Sequence, residues 1–238
     1  MTSISARSAR GSLDVVADLR RHDGGLTRRD WVVPGAEELF RSLYTGFEAG
    51  SGNSFAVCSA VQGEGKTTVC LGLGIAIAQD LPDRRVVIVE TDLWRPVLAK
   101  DFGIEPTPGL VDCLLDRQPT AAALRPTSLD NLSLLVAGNA VSSGQRLLRS
   151  ARMPQVIEEL KRTHDVVILD TPAALVHSEV ALLTRMIEEV IFVVRTGVTP
   201  ARDLATALGR LQGSKIRGVV VNDAHSSVPN AVRRLVRL

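Results

Sequence analysis

The chain is poor in aromatic residues. Five Phe, two Trp and one tyrosine, Tyr44, make up 3% of its 238 residues. Any chemistry on a tyrosine hydroxyl within the chain therefore has a single position to act on. Lysine is also scarce: of 28 basic residues only Lys66, Lys100, Lys161 and Lys215 are not Arg, so a lysine inside a motif is informative. Three cysteines, Cys58, Cys70 and Cys113, are odd in number and lack metal-ligand spacing. They exclude a disulfide framework and read as buried thiols in a reducing compartment. No stretch approaches the ~20 apolar residues that span a bilayer. The opening MTSISARSARGS has no apolar segment of the secretory kind. A cytoplasmic protein is expected. A surplus of one charge is missing too: 28 basic against 26 acidic residues leave +2, which does not suit a nucleic-acid binder driven by bulk charge.

What is present suits a globular domain, with 45% apolar and 23% charged residues. Residues 1–30 are polar, with Arg7, Arg10, Arg20, Arg21, Arg28 and Arg29 interleaved among Asp14, Asp18, Asp23 and Asp30. A solvated, flexible N-terminal arm is expected there, and a nucleotide-binding domain over 31–238. Pro34 before Glu37 and Glu38 marks a helix start, and Leu39, Phe40, Leu43 and Phe47 give its apolar stripe.

Beyond Asn53 the sequence alternates between two periods. Apolar, β-rich runs recur at Phe55–Ser59, Arg85–Glu90, Leu132–Val136, Asp165–Asp170, Val190–Arg195 and Arg217–Asn222. They are short and nearly continuous, as strands buried on both faces are. Helical patterns lie between and after them, at Lys66–Gln79, Leu110–Asp116, Gln145–Arg162, Glu179–Met186, Pro200–Leu211 and Val228–Leu238. The alternation predicts a single α/β domain with a doubly wound, mostly parallel sheet flanked by helices.

The strongest motif is Ser59-Ala-Val-Gln-Gly63-Glu64-Gly65-Lys66-Thr67-Thr68, between the first of those strands and the first long helix. Gly63 and Gly65 permit backbone angles that turn successive N–H groups inward, and the helix N-terminus adds partial positive charge. Lys66 can reach β/γ-phosphates and the Thr67 hydroxyl can ligate Mg²⁺, as in a P-loop NTPase. The strict G-x-x-x-x-G-K-[ST] pattern has Ala60 at its first glycine.

Two further strands end in carboxylates. Glu90-Thr91-Asp92 closes one, and Asp170-Thr171-Pro172 closes another in the Walker B manner. The carboxyl edge of an open α/β sheet is where ligands bind. Carboxylates there can hold Mg²⁺ or accept a proton from an attacking hydroxyl. The expected catalytic residues are Lys66, Asp92 and Asp170. The expected metal group is Thr67, Glu90, Asp92 and Asp170.

In these motifs the chain resembles the bacterial tyrosine kinases (BY-kinases), cytoplasmic P-loop proteins of capsule and exopolysaccharide synthesis, over roughly residues 36–224. The family's loop resembles S-A-x-x-G-E-G-K-[ST], matched by Ser59–Thr67, Ala60 included. Its A′ motif resembles D-x-D-x-R-[RK]-P. Here Glu90 replaces the first Asp and Trp94 stands at the first Arg, before Arg95-Pro96. Its Walker B resembles Ile168-Leu-Asp170-Thr-Pro172, with Ala173 in place of a second Pro. Ala137-Gly138, Gln145–Leu148 and the G-x-V-x-N of Gly218–Asn222 are also family-like. The resemblance implies ATP and Mg²⁺ as ligands and places Gly63, Glu64, Gly65, Lys66, Thr67, Thr68 and Asn222 around the nucleotide, Asn222 near the base. It also implies an inner-membrane polysaccharide co-polymerase, or its cytoplasmic tail, as partner.

Three departures argue against a working autokinase. The chain ends without the family's tyrosine cluster. The E-x-x-R-x-x-R interface motif keeps Glu38 and Arg41, on which homo-oligomerisation is expected, but has Tyr44 at its last position. The acidic residue that follows Walker B in the family is represented by Glu179 after Val176-His177-Ser178. The expectation is an ATP-binding, ATP-hydrolysing relative. Two other readings stay open. One is a partitioning or division-site ATPase, although the lysine those proteins carry five residues before the Walker lysine is Val61 here. The other is a non-catalytic nucleotide-binding adaptor.

Overall fold

A computed structural model describes residues 5–9, 12–17, 37–44 and 53–222. In chain order the elements are β1 (Ser5–Ala9), β2 (Ser12–Ala17), α1 (Glu37–Tyr44), β3 (Asn53–Ser59), α2 (Lys66–Asp80), β4 (Val86–Glu90), α3 (Leu98–Phe102), α4 (Leu110–Leu114) and α5 (Thr120–Ala123). They continue with β5 (Arg125–Pro126), β6 (Leu132–Leu135), α6 (Gly144–Leu148), α7 (Arg152–Thr163), β7 (Val166–Asp170), α8 (Val180–Arg185), β8 (Glu189–Arg195), α9 (Ala201–Arg210) and β9 (Ile216–Asn222).

The strands form one sheet in the order β1-β2-β9-β8-β3-β7-β4-β6-β5. Neighbours from β2 to β6 run parallel, and only the outermost pairs, β1 with β2 and β5 with β6, are antiparallel. The six expected strands are all present, and the doubly wound architecture is as expected. Of the stretch expected as an arm, 5–9 and 12–17 pair at the β9 edge, and the remainder lies outside the described residues, as does the expected helix over 228–238.

Side-chain alternation explains why the strands read as unbroken apolar runs. Phe55, Val57, Val86, Ile88, Val166, Ile168, Ile191 and Val193 face one core with α1 and α2. Their neighbours Ala56, Cys58, Val87, Val89, Val167, Leu169, Val190 and Phe192 face a second core with α4, α6, α7 and α8. Each central strand is thus buried on both faces. The three thiols are buried and unpaired with one another. Burial pushes Cys58 up to about 12 and Cys113 to about 11.

Helix α1 seats on α2 by close approach. The Phe40 ring lies where a Cβ on Gly72 would stand, 2.1 Å from its Cζ, so Gly72 is the residue that lets the helices meet. Arg217 of β9 donates from Nε to the carbonyl of Leu43 at 2.6 Å and fixes the far end of α1. The single helix expected over 145–162 is two, α6 and α7, separated at Arg149–Ala151. The break lets Arg149 reach Glu179 at 2.8 Å.

Candidate nucleotide site

The three motifs converge because threonines fasten the strand ends together. Thr91 donates from both its N–H and its hydroxyl to the carbonyl of Asp170, at 2.9 and 2.8 Å, joining the ends of β4 and β7. Thr171 donates from its hydroxyl to the carbonyl of Val57 at 3.0 Å, joining β7 to β3. Ala174 and Leu175 N–H groups then bind the carbonyls of Ser59 and Ala60 at 2.8 and 3.0 Å. The phosphate loop is thereby fixed to the segment that follows β7. Neither threonine stood out in the sequence, since each is one unremarked residue beside an expected carboxylate.

Within the loop, Gly63 and Gly65 take φ of +78° and +97°, the left-handed region that glycine enters without penalty. A Cβ on Gly65 would lie 2.3 Å from Nδ2 of Asn222. That amide donates to the carbonyl of Glu64 at 2.8 Å, so the end of β9 touches the loop directly. The Glu64 carboxylate is buried and works inside the loop. It accepts the N–H of Val61 at 2.6 Å and the hydroxyl of Thr199, tying the loop to the segment after β8. Lys66 opens α2 and donates to the Ser59 hydroxyl at 2.9 Å.

Thr67 donates its hydroxyl to Oδ2 of Asp170 at 2.6 Å. Burial pushes the Asp170 carboxyl up to about 7, against the pull of Thr67 and the Lys66 ammonium. Asp92 is half-buried, and its Oδ1 accepts the N–H groups of Trp94 and Arg95 at 3.3 and 3.1 Å. Its Oδ2 is the oxygen left for a ligand. A hydroxyl paired with a buried carboxylate at the start of a P-loop helix is the hard-oxygen donor set Mg²⁺ takes. No cluster of three His, Cys, Asp or Glu exists among the described residues. Mg²⁺ uses one or two carboxylates with phosphates and water rather than an all-protein cage, and Thr67 with Asp170 offers such a partial set. The residues fit the ion.

Glu90, expected in the metal group, is engaged with backbone N–H groups. Its Oε1 accepts the N–H groups of Val97 and Leu98 at 2.5 and 2.9 Å, and Oε2 that of Ala137 at 2.9 Å. The extra methylene relative to aspartate gives the reach for this. The carboxylate is almost fully buried, and burial raises its pKa. It ties the loop after β4 to the end of β6. Glu179 is likewise engaged, accepting from Arg149 and Ser178. A contact not foreseen is the stack of Trp94 on His177, ring centroids 3.8 Å apart and planes at 22°. It joins the loop after β4 to the segment after β7.

No protein-family model matches the chain. Curated relatives do. A tyrosine-protein kinase, ptk, of Acinetobacter johnsonii is 24% identical over 200 residues, covering 83% of this chain and 27% of the relative. YwqD, a tyrosine-protein kinase of Bacillus subtilis, is 28% identical over 191 residues, covering 78% of this chain and 80% of the relative. The chain thus spans about a quarter of the length of ptk. Among solved structures, the kinase domain of the Escherichia coli tyrosine kinase ETK superposes with a TM-score of 0.76 at 25% identity, covering 88% of this chain and 86% of that one. In sequence the chain is similar to bacterial tyrosine-protein kinases, and in fold to the kinase domain of one of them.

Proposed function

We propose that the chain binds and hydrolyses Mg-ATP as a BY-kinase-type protein that does not phosphorylate itself, its nucleotide state governing assembly with a membrane partner in polysaccharide synthesis or export. The observation that carries the reading is the convergence at one sheet edge of the Gly63 and Gly65 bend, Lys66, and the Thr67–Asp170 pair.

Each residue has work to do there. The loop N–H groups and the α2 N-terminus cradle phosphate oxygens. The Lys66 ammonium exchanges the Ser59 hydroxyl for the β/γ-phosphates. Thr67, Asp170 and Asp92 would hold Mg²⁺, which when bound neutralises developing phosphate charge. Asp92 would give Oδ2 to that ion and so stands beside the approach of the attacking oxygen. Asn222, already against the loop, borders the base.

The family likeness supports a cytoplasmic protein at the inner membrane through a polysaccharide co-polymerase or its cytoplasmic tail. Among the described residues no helix is long and apolar enough to cross a membrane. An adaptor without turnover is the second reading, favoured by the engagement of Glu90 with backbone. Calorimetry and steady-state hydrolysis with Mg-ATP separate the two. Binding and turnover that both vanish in Lys66→Met support the enzyme, binding alone supports the adaptor, and no binding removes both. ATP-dependent co-purification with candidate membrane partners tests the assembly role.

A further inference from the structure

We propose that Arg95 recognises the terminal phosphate of ATP: its guanidinium, carried on the loop after β4, is set over the phosphate loop by Gln62. The inference rests on the nucleotide-site reading above and adds a residue that distinguishes ATP from ADP.

Both ends of Arg95 are positioned. At its head, Nη1 donates to Oε1 of Gln62 at 2.5 Å. Gln62 immediately precedes Gly63, so the guanidinium lies against the phosphate loop itself. At its backbone, the Arg95 N–H is bound by Asp92 Oδ1 at 3.1 Å. The preceding residue is wedged in place: Trp94 stacks on His177, and its ring lies 2.9 Å from where a Cβ on Gly144 would stand.

The partner chemistry is informative. Arg95 is exposed, and among the described residues it forms no ion pair with a carboxylate. Other arginines are met by an acid, as Arg149 is by Glu179 and Arg41 by Asp80, or by backbone carbonyls, as Arg210 is at Ala174 and Leu175. A neutral amide orients the group and leaves its charge uncompensated. A guanidinium has five N–H donors, and one is used here. The others suit the paired oxygens of a phosphate, which Arg binds in a fork.

Sheet order assigns the end of the nucleotide that Arg95 meets. Asn222 ends β9, on one side of β3, whereas Asp170 ends β7 and Asp92 follows β4 on the other. With the base bordered by Asn222 as proposed above, the metal and the terminal phosphate belong on the β4 side. Arg95 comes from that side and shares its loop with Asp92. A cation there adds attraction for the γ-phosphate that ADP cannot use.

The test compares affinities of the full chain for Mg-ADP and for a non-hydrolysable Mg-ATP analogue, in wild type, Arg95→Gln, Arg95→Lys and Gln62→Ala. A lost charge-assisted contact predicts analogue binding weakened roughly tenfold or more in Arg95→Gln, with ADP binding within about twofold of wild type. Arg95→Lys recovers part of the loss, and Gln62→Ala falls between. Arg95 is exposed, so its replacement leaves the core packing in place, and an unchanged thermal midpoint checks this. Equal losses for both nucleotides, or an unchanged analogue affinity in Arg95→Gln, overturns the proposal and leaves the nucleotide site standing. A wild-type chain that binds neither nucleotide overturns both.

Discussion

Tyr44 donates its hydroxyl to Oδ2 of Asp80, the last residue of α2. The same carboxylate receives Arg41 from Nε at 2.5 Å and Nη2 at 3.0 Å. One acid at the helix end thus anchors two residues of α1. Burial first, then the Asp80 contact, push the Tyr44 phenol up from 10.0 to about 12, while hydrogen bonding from Arg41, then from Tyr44, holds Asp80 down at about 2. A raised phenol favours the neutral form in the fold. Its stabilising contribution is complete below the ordinary pKa near 10 and is lost as pH rises through about 12. Alkaline absorbance titration needs no assignment, because Tyr44 is the only tyrosine. The native midpoint is expected near 12, falling to about 10 in denaturant. A native midpoint already near 10 would place the phenol in water and contradict the contact.

The same contact bears on phosphorylation. Asp80 and Lys66 stand at opposite ends of α2, which at 1.5 Å per residue are roughly 21 Å apart. In-line transfer needs the acceptor oxygen within about 3.5 Å of the reacting phosphorus. Tyr44 is buried at the wrong end of the helix to serve its own site. Purified protein incubated with Mg-ATP should show no phosphate on Tyr44 by mass spectrometry, and Tyr44→Phe should hydrolyse ATP at the wild-type rate. Phosphotyrosine at position 44 would require α1 to leave α2 and would overturn the reading of this chain as no autokinase.

Glu90 offers a test of structure against ligation. Removing its carboxylate in Glu90→Ala leaves three N–H groups without their acceptor, at ~1–3 kcal/mol each where they stay buried. A fall of several degrees in thermal midpoint is expected, and Glu90→Asp should lose part of the stability because its arm is shorter. Glu90→Gln keeps an acceptor oxygen and should hydrolyse ATP with an unchanged Mg²⁺ requirement. A marked rise in the Mg²⁺ concentration for half-maximal turnover in Glu90→Gln would restore the ligand role.

The sequence made the sheet legible because its strands are buried on both faces, so apolar runs such as Val86–Val89 could scarcely be anything else. The loop was legible because Gly63, Gly65, Lys66 and Thr67 are demanded at fixed spacing by backbone geometry and charge. Side-chain destinations were not. Glu90 looked like half of a metal pair, and only the reach to Val97, Leu98 and Ala137 shows where its oxygens go. Thr91 and Thr171 fasten the site through carbonyls far away in sequence, and no local pattern announces that. The break between α6 and α7 has the same origin: Arg149 is drawn to Glu179, thirty positions on. Short elements such as α3 and α5 are too brief to leave a periodic signal.

Gly65 is constrained twice over. Its φ of +97° is strained for any residue with a Cβ, and that Cβ would lie 2.3 Å from Nδ2 of Asn222. Gly65→Ala should cost about 1–3 kcal/mol in backbone strain and abolish detectable Mg-ATP binding by calorimetry. Adding Asn222→Ala removes the collision and leaves the strain, so the double variant should regain stability without regaining full affinity. Wild-type affinity in Gly65→Ala alone would show that the loop reaches the nucleotide in another conformation.

The stack of Trp94 on His177 should be measurable as an interaction energy. The two rings join loops that have no hydrogen-bonded strand pairing beyond Glu90 and Asp170. A double-mutant cycle on Trp94→Ala and His177→Ala should return a coupling of about 1 kcal/mol, and His177→Phe should retain most of it. In a Trp31→Phe background Trp94 is the only indole. His177→Ala should then increase its quenching by acrylamide, because the imidazole covers one face. The consequence reaches the site through the backbone. The Trp94 N–H is one of two that hold Asp92 Oδ1. Loosening the ring frees that carboxylate to rotate, so His177→Ala should need more Mg²⁺ for half-maximal turnover while His177→Phe needs the wild-type amount. A coupling energy near zero, with quenching unchanged, would mean that the rings merely lie side by side and that Asp92 is held by its own turn.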